Sequence, residues 1–127
     1  MLRAGRQRPR PGRLLRRAIE ADRITSVPTG VATDHFVPGD QAAARARLGL
    51  PQGAPLIGIV ATLRSWKGHR YLLEAFARLP ADTGLVIVGD GPQRQNIEAK
   101  IHELGIGDRV TLAGNQAEVL PWLQALD

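Results

Sequence analysis

The chain has 127 residues and a mass of 13.7 kDa, enough for one domain with a hydrophobic core but too little for two independent domains. Its 43% hydrophobic and 23% charged residues are close to globular averages and exclude wholesale disorder. The absence of cysteine excludes disulfides, thiolate zinc sites and cysteine nucleophiles, and no apolar run approaches the roughly 18 to 20 residues that span a bilayer.

The positive charge of the chain is concentrated near its beginning. The formal net charge is +5, yet residues 1–17 carry seven arginines and no acid, which leaves ten basic and twelve acidic residues elsewhere, a net charge of −2. Residues 1–23 are interpreted as an Arg-rich arm with a remnant helix. Three interpretations of the arm compete: a nucleic-acid or anionic-lipid binder, a targeting segment, and the frayed remnant of a truncated domain. We favour the remnant.

Three elements are predicted before the centre of the chain. Residues 24–31 form a short β-branched run that ends in Pro and Gly, which indicates a strand followed by a turn. Asp40 is placed to cap a short, exposed helix that Gly49 terminates. Residues 56–61 are continuously apolar, as expected for a parallel strand that is covered on both faces.

The rest of the chain alternates amphipathic helices with buried strands. Helices are predicted over residues 69–79 and 92–104 and from Pro121 onwards, each beginning or ending at a Pro or Gly. Apolar runs predict strands over residues 85–89 and 110–114. The repeated strand–helix order predicts right-handed βαβ crossovers, and hence an α/β fold: a partial Rossmann-like, three-layer domain with a parallel sheet.

In such a sheet, ligands bind beyond the carboxyl ends of the strands, so the loops that follow the three strands are the candidate sites. The first loop contains Thr62, Arg64 and Lys67, followed by Gly68 at the start of the next helix. A phosphate or diphosphate there would meet unpaired helix amides and a mobile ammonium group. The loop lacks both the Walker and the dinucleotide-binding patterns, and a solvated turn explains it equally well.

The second loop places Asp90 between Gly89 and Gly91, directly after a buried strand. It could present a backbone surface to a sugar or nucleotide, but we favour a tight turn in which Asp90 caps the following helix. No metal site is expected, because the three histidines lie far apart in the sequence. His69 is expected to be solvated beside the proposed phosphate site, and Trp66 and Trp122 are expected to be packing anchors.

Taken together, these segments resemble the C-terminal, nucleotide-sugar-binding half of family 4 glycosyltransferases of the GT-B fold, over roughly residues 19–127. The family's VxPNGVD..xF element is similar to VPTGVATDHF at residues 27–36, and its GRLxxxKG element is matched at Lys67 and Gly68. Thr62 stands where the family has Arg, and Arg64 lies two residues further on.

The resemblance implies transfer of a sugar, with retention, from a nucleotide-sugar donor to a hydroxyl acceptor, without a bound metal or other cofactor. Residues 24–127 would form part of the donor-binding domain. The implied donor diphosphate site consists of Lys67, Arg64, Thr62 and Gly68; the nucleoside site consists of Gly114, Asn115 and Gln116; and Gly89, Asp90 and Gly91 would form the donor-loop backbone.

The resemblance also implies parts that this sequence does not contain. The glutamate pair that orients the donor in the family would lie beyond residue 127, and a saccharide or lipid-linked acceptor would be bound by a preceding domain. We therefore expect a truncated chain, inactive alone, whose first strand exposes an edge. Its expected location is cytoplasmic, with peripheral association at the inner membrane face as an option, and no specific nucleic acid is expected. The alternative function is a small basic-arm protein that binds nucleic acid or anionic membranes.

Overall fold

The computed structural model describes residues 21–127, which fall into two compact units divided between Phe36 and Val37. In the first unit, residues Ala21–Arg23 form a 3-10 helix, and the amides of His35 and Phe36 donate to the carbonyl of Ala32 to form a turn. The strand predicted within residues 24–31 is absent from the described part, where this segment pairs with no neighbour. A β-branched run forms a ladder only where a second strand accepts its hydrogen bonds. The arm of residues 1–17 lies outside the described residues.

The second unit is an α/β domain with a parallel sheet. Within residues 37–127 the strand order is β1-β2-β3, and both pairs are parallel. In chain order the elements are α1 (Gln41–Leu48), β1 (Leu56–Val60), α2 (His69–Phe76), β2 (Gly84–Val88), α3 (Arg94–Glu103), β3 (Val110–Gly114) and α4 (Leu120–Ala125). The fold class predicted from the sequence is confirmed. No helix in the described part of the chain combines the length and apolarity that crossing a membrane demands.

Alternate residues of β2 enter two separate hydrophobic clusters, one on each face of the sheet. Leu85 and Ile87 pack with side chains of α2 and α3, including Phe76. Val86 and Val88 pack with side chains of α1 and α4. Because successive side chains of a strand point to opposite faces, this division gives three layers: two helices, the sheet, and two more helices.

Only the central strand is covered on both faces. All four residues of β2 from Leu85 to Val88 are buried, whereas Val60 at the end of β1 is 40% exposed. The prediction of full coverage is therefore wrong for β1. In the described domain β1 pairs on one side only, so it is an edge strand with fewer neighbours.

Helix α1 begins and ends as predicted but is not exposed throughout. The Asp40 carboxylate accepts from the Ala43 amide at 3.0 Å, and Gly49 ends the helix in the left-handed region at φ 67°. Arg45, however, is 3% exposed, and its guanidinium donates to the carbonyl of Ala125 in α4 at 2.8 Å. The helix therefore buries one apolar residue, Ala44, and one polar residue, Arg45, where full exposure was expected.

Candidate functional site

A cavity of about 520 Å³ opens at the carboxyl ends of the three strands, where the sequence predicted the ligand site. All three strand-to-helix loops contribute to it. The residues that line it are Val60, Ala61, Thr62, Val88, Gly89, Asp90, Asn115, Gln116 and Val119. The volume lies within the range of about 300–1,000 Å³ that is usual for small-molecule sites.

Main-chain hydrogen bonds fasten the loops of this cavity to one another. The amide of Ala61 donates to the carbonyl of Val88 at 3.0 Å, and that of Leu63 donates to the carbonyl of Asp90 at 3.0 Å. The amide of Gly89 donates to the carbonyl of Gly114 at 2.7 Å. The strand ladder therefore continues into the loops, which fixes the cavity floor before any ligand arrives.

Two positions in the floor have room only for glycine. A Cβ atom on Gly89 would overlap the carbonyl oxygen of Ala61, and the φ of 132° at Gly89 is one that other residues rarely adopt. A Cβ atom on Gly91 would lie 2.7 Å from the carbonyl oxygen of Leu63. The two glycines are therefore required by the close approach of the first two loops.

Asp90 does not cap the following helix, so the favoured interpretation of this residue is wrong. Helix α3 begins at Arg94, and its N-cap residue, Gln93, makes no side-chain capping bond. One Asp90 carboxylate oxygen accepts from the Gly91 amide at 2.7 Å, and the other lies 3.9 Å from the Arg94 guanidinium. The helix starts two residues later than predicted because Pro92 and Gln93 form a turn. Asp90 keeps a half-exposed carboxylate at the cavity wall.

The β1–α2 loop carries the cations of the proposed diphosphate site. Ser65–Lys67 form a 3-10 turn, and Gly68, with φ 76°, reverses the chain into α2 without a side-chain cap. Lys67 is exposed on this turn. The Arg64 guanidinium lies 5.7 Å from the Trp66 ring centre in a cation–π contact. Trp66 is 74% exposed, so the prediction that it is a packing anchor is wrong, whereas Trp122 is buried in the core.

A second depression, of about 350 Å³, lies between α2 and α3. Its lining contains the basic side chains of Arg64, Arg70 and Lys100, and it includes two of the predicted diphosphate residues, Arg64 and Gly68. We call it the α2–α3 groove; its other lining residues are Ser65, His69, Tyr71, Leu73, Gln93, Asn96 and Ile97.

His69 is enclosed rather than solvated as expected. It is the first residue of α2, it is 4% exposed, and neither ring nitrogen has a hydrogen-bond partner among the described residues. Burial lowers the pKa of the His69 ring, and the neighbouring Lys67 ammonium lowers it further. Both effects favour the neutral form of the ring.

The structure divides most of the predicted site residues between the two depressions, whereas Lys67, Gly91 and Gly114 line neither. Thr62, Gly89, Asp90, Asn115 and Gln116 line the carboxyl-end cavity, whereas Arg64 and Gly68 line the groove. Lys67 lies on the turn that follows Arg64, and Gly114 ends β3 and supplies the carbonyl that Gly89 bonds. The side-chain amide nitrogen of Gln116 is already engaged in a hydrogen bond, which it donates to the Ala113 carbonyl at 2.7 Å.

Two groups of lining residues were not predicted from the sequence. Val119 supplies an apolar wall of the cavity, and Gln93 and Asn96 line the groove, with the Asn96 amide donating to the Gln93 side chain at 3.0 Å. The i, i+3 spacing of Gln93 and Asn96 at the start of a helix could have predicted that these two side chains are neighbours. In residues 21–127 no group of three or more His, Asp or Glu side chains is arranged to hold a metal ion.

Comparison with known proteins agrees with this geometry. Residues 40–126 match the family described as glycosyl transferases group 1. The chain is 40% identical over 98 residues to a 2-deoxystreptamine glucosyltransferase of Streptomyces kanamyceticus, covering 72% of this chain and 25% of that protein. It is 35% identical over 120 residues to a D-inositol 3-phosphate glycosyltransferase of Xylanimonas cellulosilytica, covering 85% and 29%.

A solved GT-B structure shows the same arrangement of elements. The Anabaena Alr3699/HepE protein in complex with UDP-glucose superposes with a TM-score of 0.63 at 29% identity, over 72% of this chain and 26% of that one. The chain thus spans about a quarter of the length of the relatives and structures that it matches.

Proposed function

Since the chain belongs to the group 1 glycosyltransferase family, we propose that it provides part of the donor site of an enzyme that transfers a sugar from a nucleotide-sugar to a hydroxyl acceptor. The observation that carries this proposal is the cavity at the carboxyl ends of β1, β2 and β3, whose wall brings together Thr62, Asp90 and Asn115. Parallel α/β sheets bind nucleotides at this edge. A UDP-glucose complex of a protein with this fold supports the choice of ligand.

The charges of the cavity wall and of the neighbouring β1–α2 loop favour one orientation of the donor. The Asp90 carboxylate at one wall repels a diphosphate, whereas Lys67 and Arg64 lie on the loop after β1, at the start of α2. We place the diphosphate on the side of this loop, and the nucleoside towards Gly114, Asn115 and Gln116. In this orientation the diphosphate lies near the positive end of the α2 dipole.

This arrangement suits the chemistry of sugar transfer. Cleavage of the bond between the sugar and the diphosphate leaves negative charge on the nucleoside diphosphate and positive charge on the sugar. An ammonium group and helix amides beside the diphosphate stabilise the departing group more than the intact donor, and this lowers the barrier. Lys67 is the residue we assign to that role, with Arg64 and Thr62 as further contacts. The leaving diphosphate needs no bound metal if these groups compensate its charge.

The remaining parts of the reaction are proposed from the relatives, which are about four times longer. The acceptor, a saccharide or a lipid-linked molecule, would be bound by a part of the enzyme that corresponds to the rest of their length. Transfer would proceed with retention at the anomeric carbon. The isolated chain would bind the donor nucleotide without transferring its sugar.

Calorimetric titration of the chain with UDP, ADP and GDP, and with their glucose conjugates, tests the proposal. We expect at least one nucleoside diphosphate to bind and Lys67→Ala to weaken it about 10- to 100-fold, the loss of one hydrogen bond to a charged group. Arg78→Ala is the matched control, because it removes the same charge from an exposed position after the far end of α2. Equal binding by Lys67→Ala and Arg78→Ala would overturn the site assignment.

A further inference from the structure

The enclosed ring of His69 is not explained by the proposed donor site. Both ring nitrogens are buried, and neither finds a hydrogen-bond partner in the described part of the chain. A buried polar group without a partner costs stability, and an apolar side chain of similar size would avoid that cost. The position of the ring, at the first residue of α2 and two residues after Lys67, links it to the turn that carries the proposed diphosphate ligand.

The charged groups around the ring are mainly positive. Lys67 precedes it on the 3-10 turn, Arg64 lines the same groove from the β1–α2 loop, and Lys100 lines it from α3. The start of α2 adds the positive end of a helix dipole. A proton added to the ring would therefore create a cation in an enclosed site beside other cations.

The acid on the same helix is already engaged. The Glu74 carboxylate lies 3.2 Å from the Arg70 guanidinium and 3.3 Å from the Lys100 ammonium, so two cations compete for it. The α3 side chains Gln93 and Asn96, which also line the groove, are neutral and hydrogen-bond each other. In its enclosed position neither nitrogen of the His69 ring has a partner, so a protonated ring gains one only if the ring or the groups around it move.

We propose that His69 is a positioning residue for the diphosphate site, whose neutral ring holds the turn carrying Lys67 in place and whose protonation displaces that turn. The step from turn to function rests on the proposed role of Lys67 as a diphosphate ligand. Gly68, with φ 76°, joins the turn to the helix and is the point at which the backbone can adjust. The lowered pKa of His69 agrees with a ring that is held neutral by burial and by Lys67.

Nuclear magnetic resonance of the ¹⁵N-labelled chain tests the displacement without any ligand. The chain has two tryptophans, so the indole N–H signal of Trp66 is assigned with Trp66→Phe. Trp66 lies on the turn and contacts Arg64, which makes its signal sensitive to the turn's position. As the pH is lowered from 7.5 to well below 6.5, the ordinary histidine pKa, we expect the Trp66 signal to titrate with one transition, and His69→Leu to abolish this transition.

His102→Leu is the control, because His102 is an exposed histidine on α3. It should leave the Trp66 transition unchanged, and the Trp122 indole signal should stay constant while the fold persists. A Trp66 signal that does not titrate, or that titrates equally in His69→Leu, would overturn the proposal whether or not the chain binds nucleotides.

Calorimetry with UDP then tests the link to binding. Each variant is compared with itself at two pH values, so that protonation of UDP is common to all. Below the pH of the Trp66 transition, we expect the UDP affinity of the wild type and of His102→Leu to decrease with pH. For each pH unit this decrease should exceed that of His69→Leu by up to about tenfold. An equal fall in all three would refute the positioning role. Absence of UDP binding at pH 7.5 would instead contradict the donor site, leaving the Trp66 titration to decide the role of His69.

Discussion

Replacement of Gly89 by alanine should destabilise the domain severely, because the first two loops approach each other at this position. The added Cβ would overlap the carbonyl oxygen of Ala61, and φ 132° is strained for alanine. Strained backbone costs about 1–3 kcal/mol. Separation of the loops would also weaken the Gly89–Gly114 and Ala61–Val88 hydrogen bonds, at about 0.5–1.5 kcal/mol each. The expected loss is about 2–6 kcal/mol, a large part of a typical domain stability of about 5–15 kcal/mol.

Gly49→Ala separates the effect of the clash from the effect of the backbone angle. Gly49 also has a positive φ, 67°, but a Cβ there would meet nothing within 4 Å. We expect Gly49→Ala to lower the free energy of unfolding only by the cost of alanine in the left-handed conformation, about 1–2 kcal/mol. Urea denaturation followed by circular dichroism gives both free energies of unfolding. If Gly89→Ala lost no more stability than Gly49→Ala, the steric argument for the cavity floor would be refuted.

Three further changes should alter stability in measurable ways. Arg45→Leu should lower the free energy of unfolding by at least about 2 kcal/mol in urea titrations, since it leaves the Ala125 carbonyl without its buried donor; unchanged stability would contradict this. The Leu56 amide donates to the Asp127 carboxylate and lowers the pKa of this carboxyl group, so the domain should lose stability as the pH falls below about 3.8. In Asp127→Asn, the free energy of unfolding should depend less on pH in this acidic range. Burial lowers the pKa of His69 in the folded chain, so as the pH falls below 6.5, the ordinary pKa of histidine, this residue is protonated in the unfolded chain before it is in the folded one. The melting temperature should therefore decrease below pH 6.5, and His69→Leu should abolish this decrease.

The strand and helix pattern was predictable because it depends on local signals. The apolar run at β2 is short, uninterrupted and bounded by glycine, β3 ends at a glycine, and the Asp40 cap and the Gly49 terminus are specified within a few residues. The same logic placed the loops after the strands at one edge of the sheet, and residues of these loops, among them Thr62 and Asn115, line the cavity there.

The features that the sequence did not reveal depend on distant contacts. Arg45 is buried because α4 and Asp127, some 80 residues away, receive its guanidinium, and an arginine in a polar helix gives no local sign of this. The polar residues of the turn before His69 give no sign in the sequence that its side chain is buried. Its enclosure depends instead on the packing of α3 against α2. The strand predicted within residues 24–31 failed for the same reason, since a strand is defined by its partner.

The floor of the carboxyl-end cavity is built from peptide groups, while its walls are built from side chains. Thr62, Asn115 and Val119 can therefore be exchanged without disturbing the interlocked carbonyls and amides of residues 61–63 and 89–91. In a scaffold of this kind, the main chain maintains the shape of the cavity and the side chains determine ligand specificity. Redesign of ligand preference should begin at those three side chains and leave the two glycines untouched.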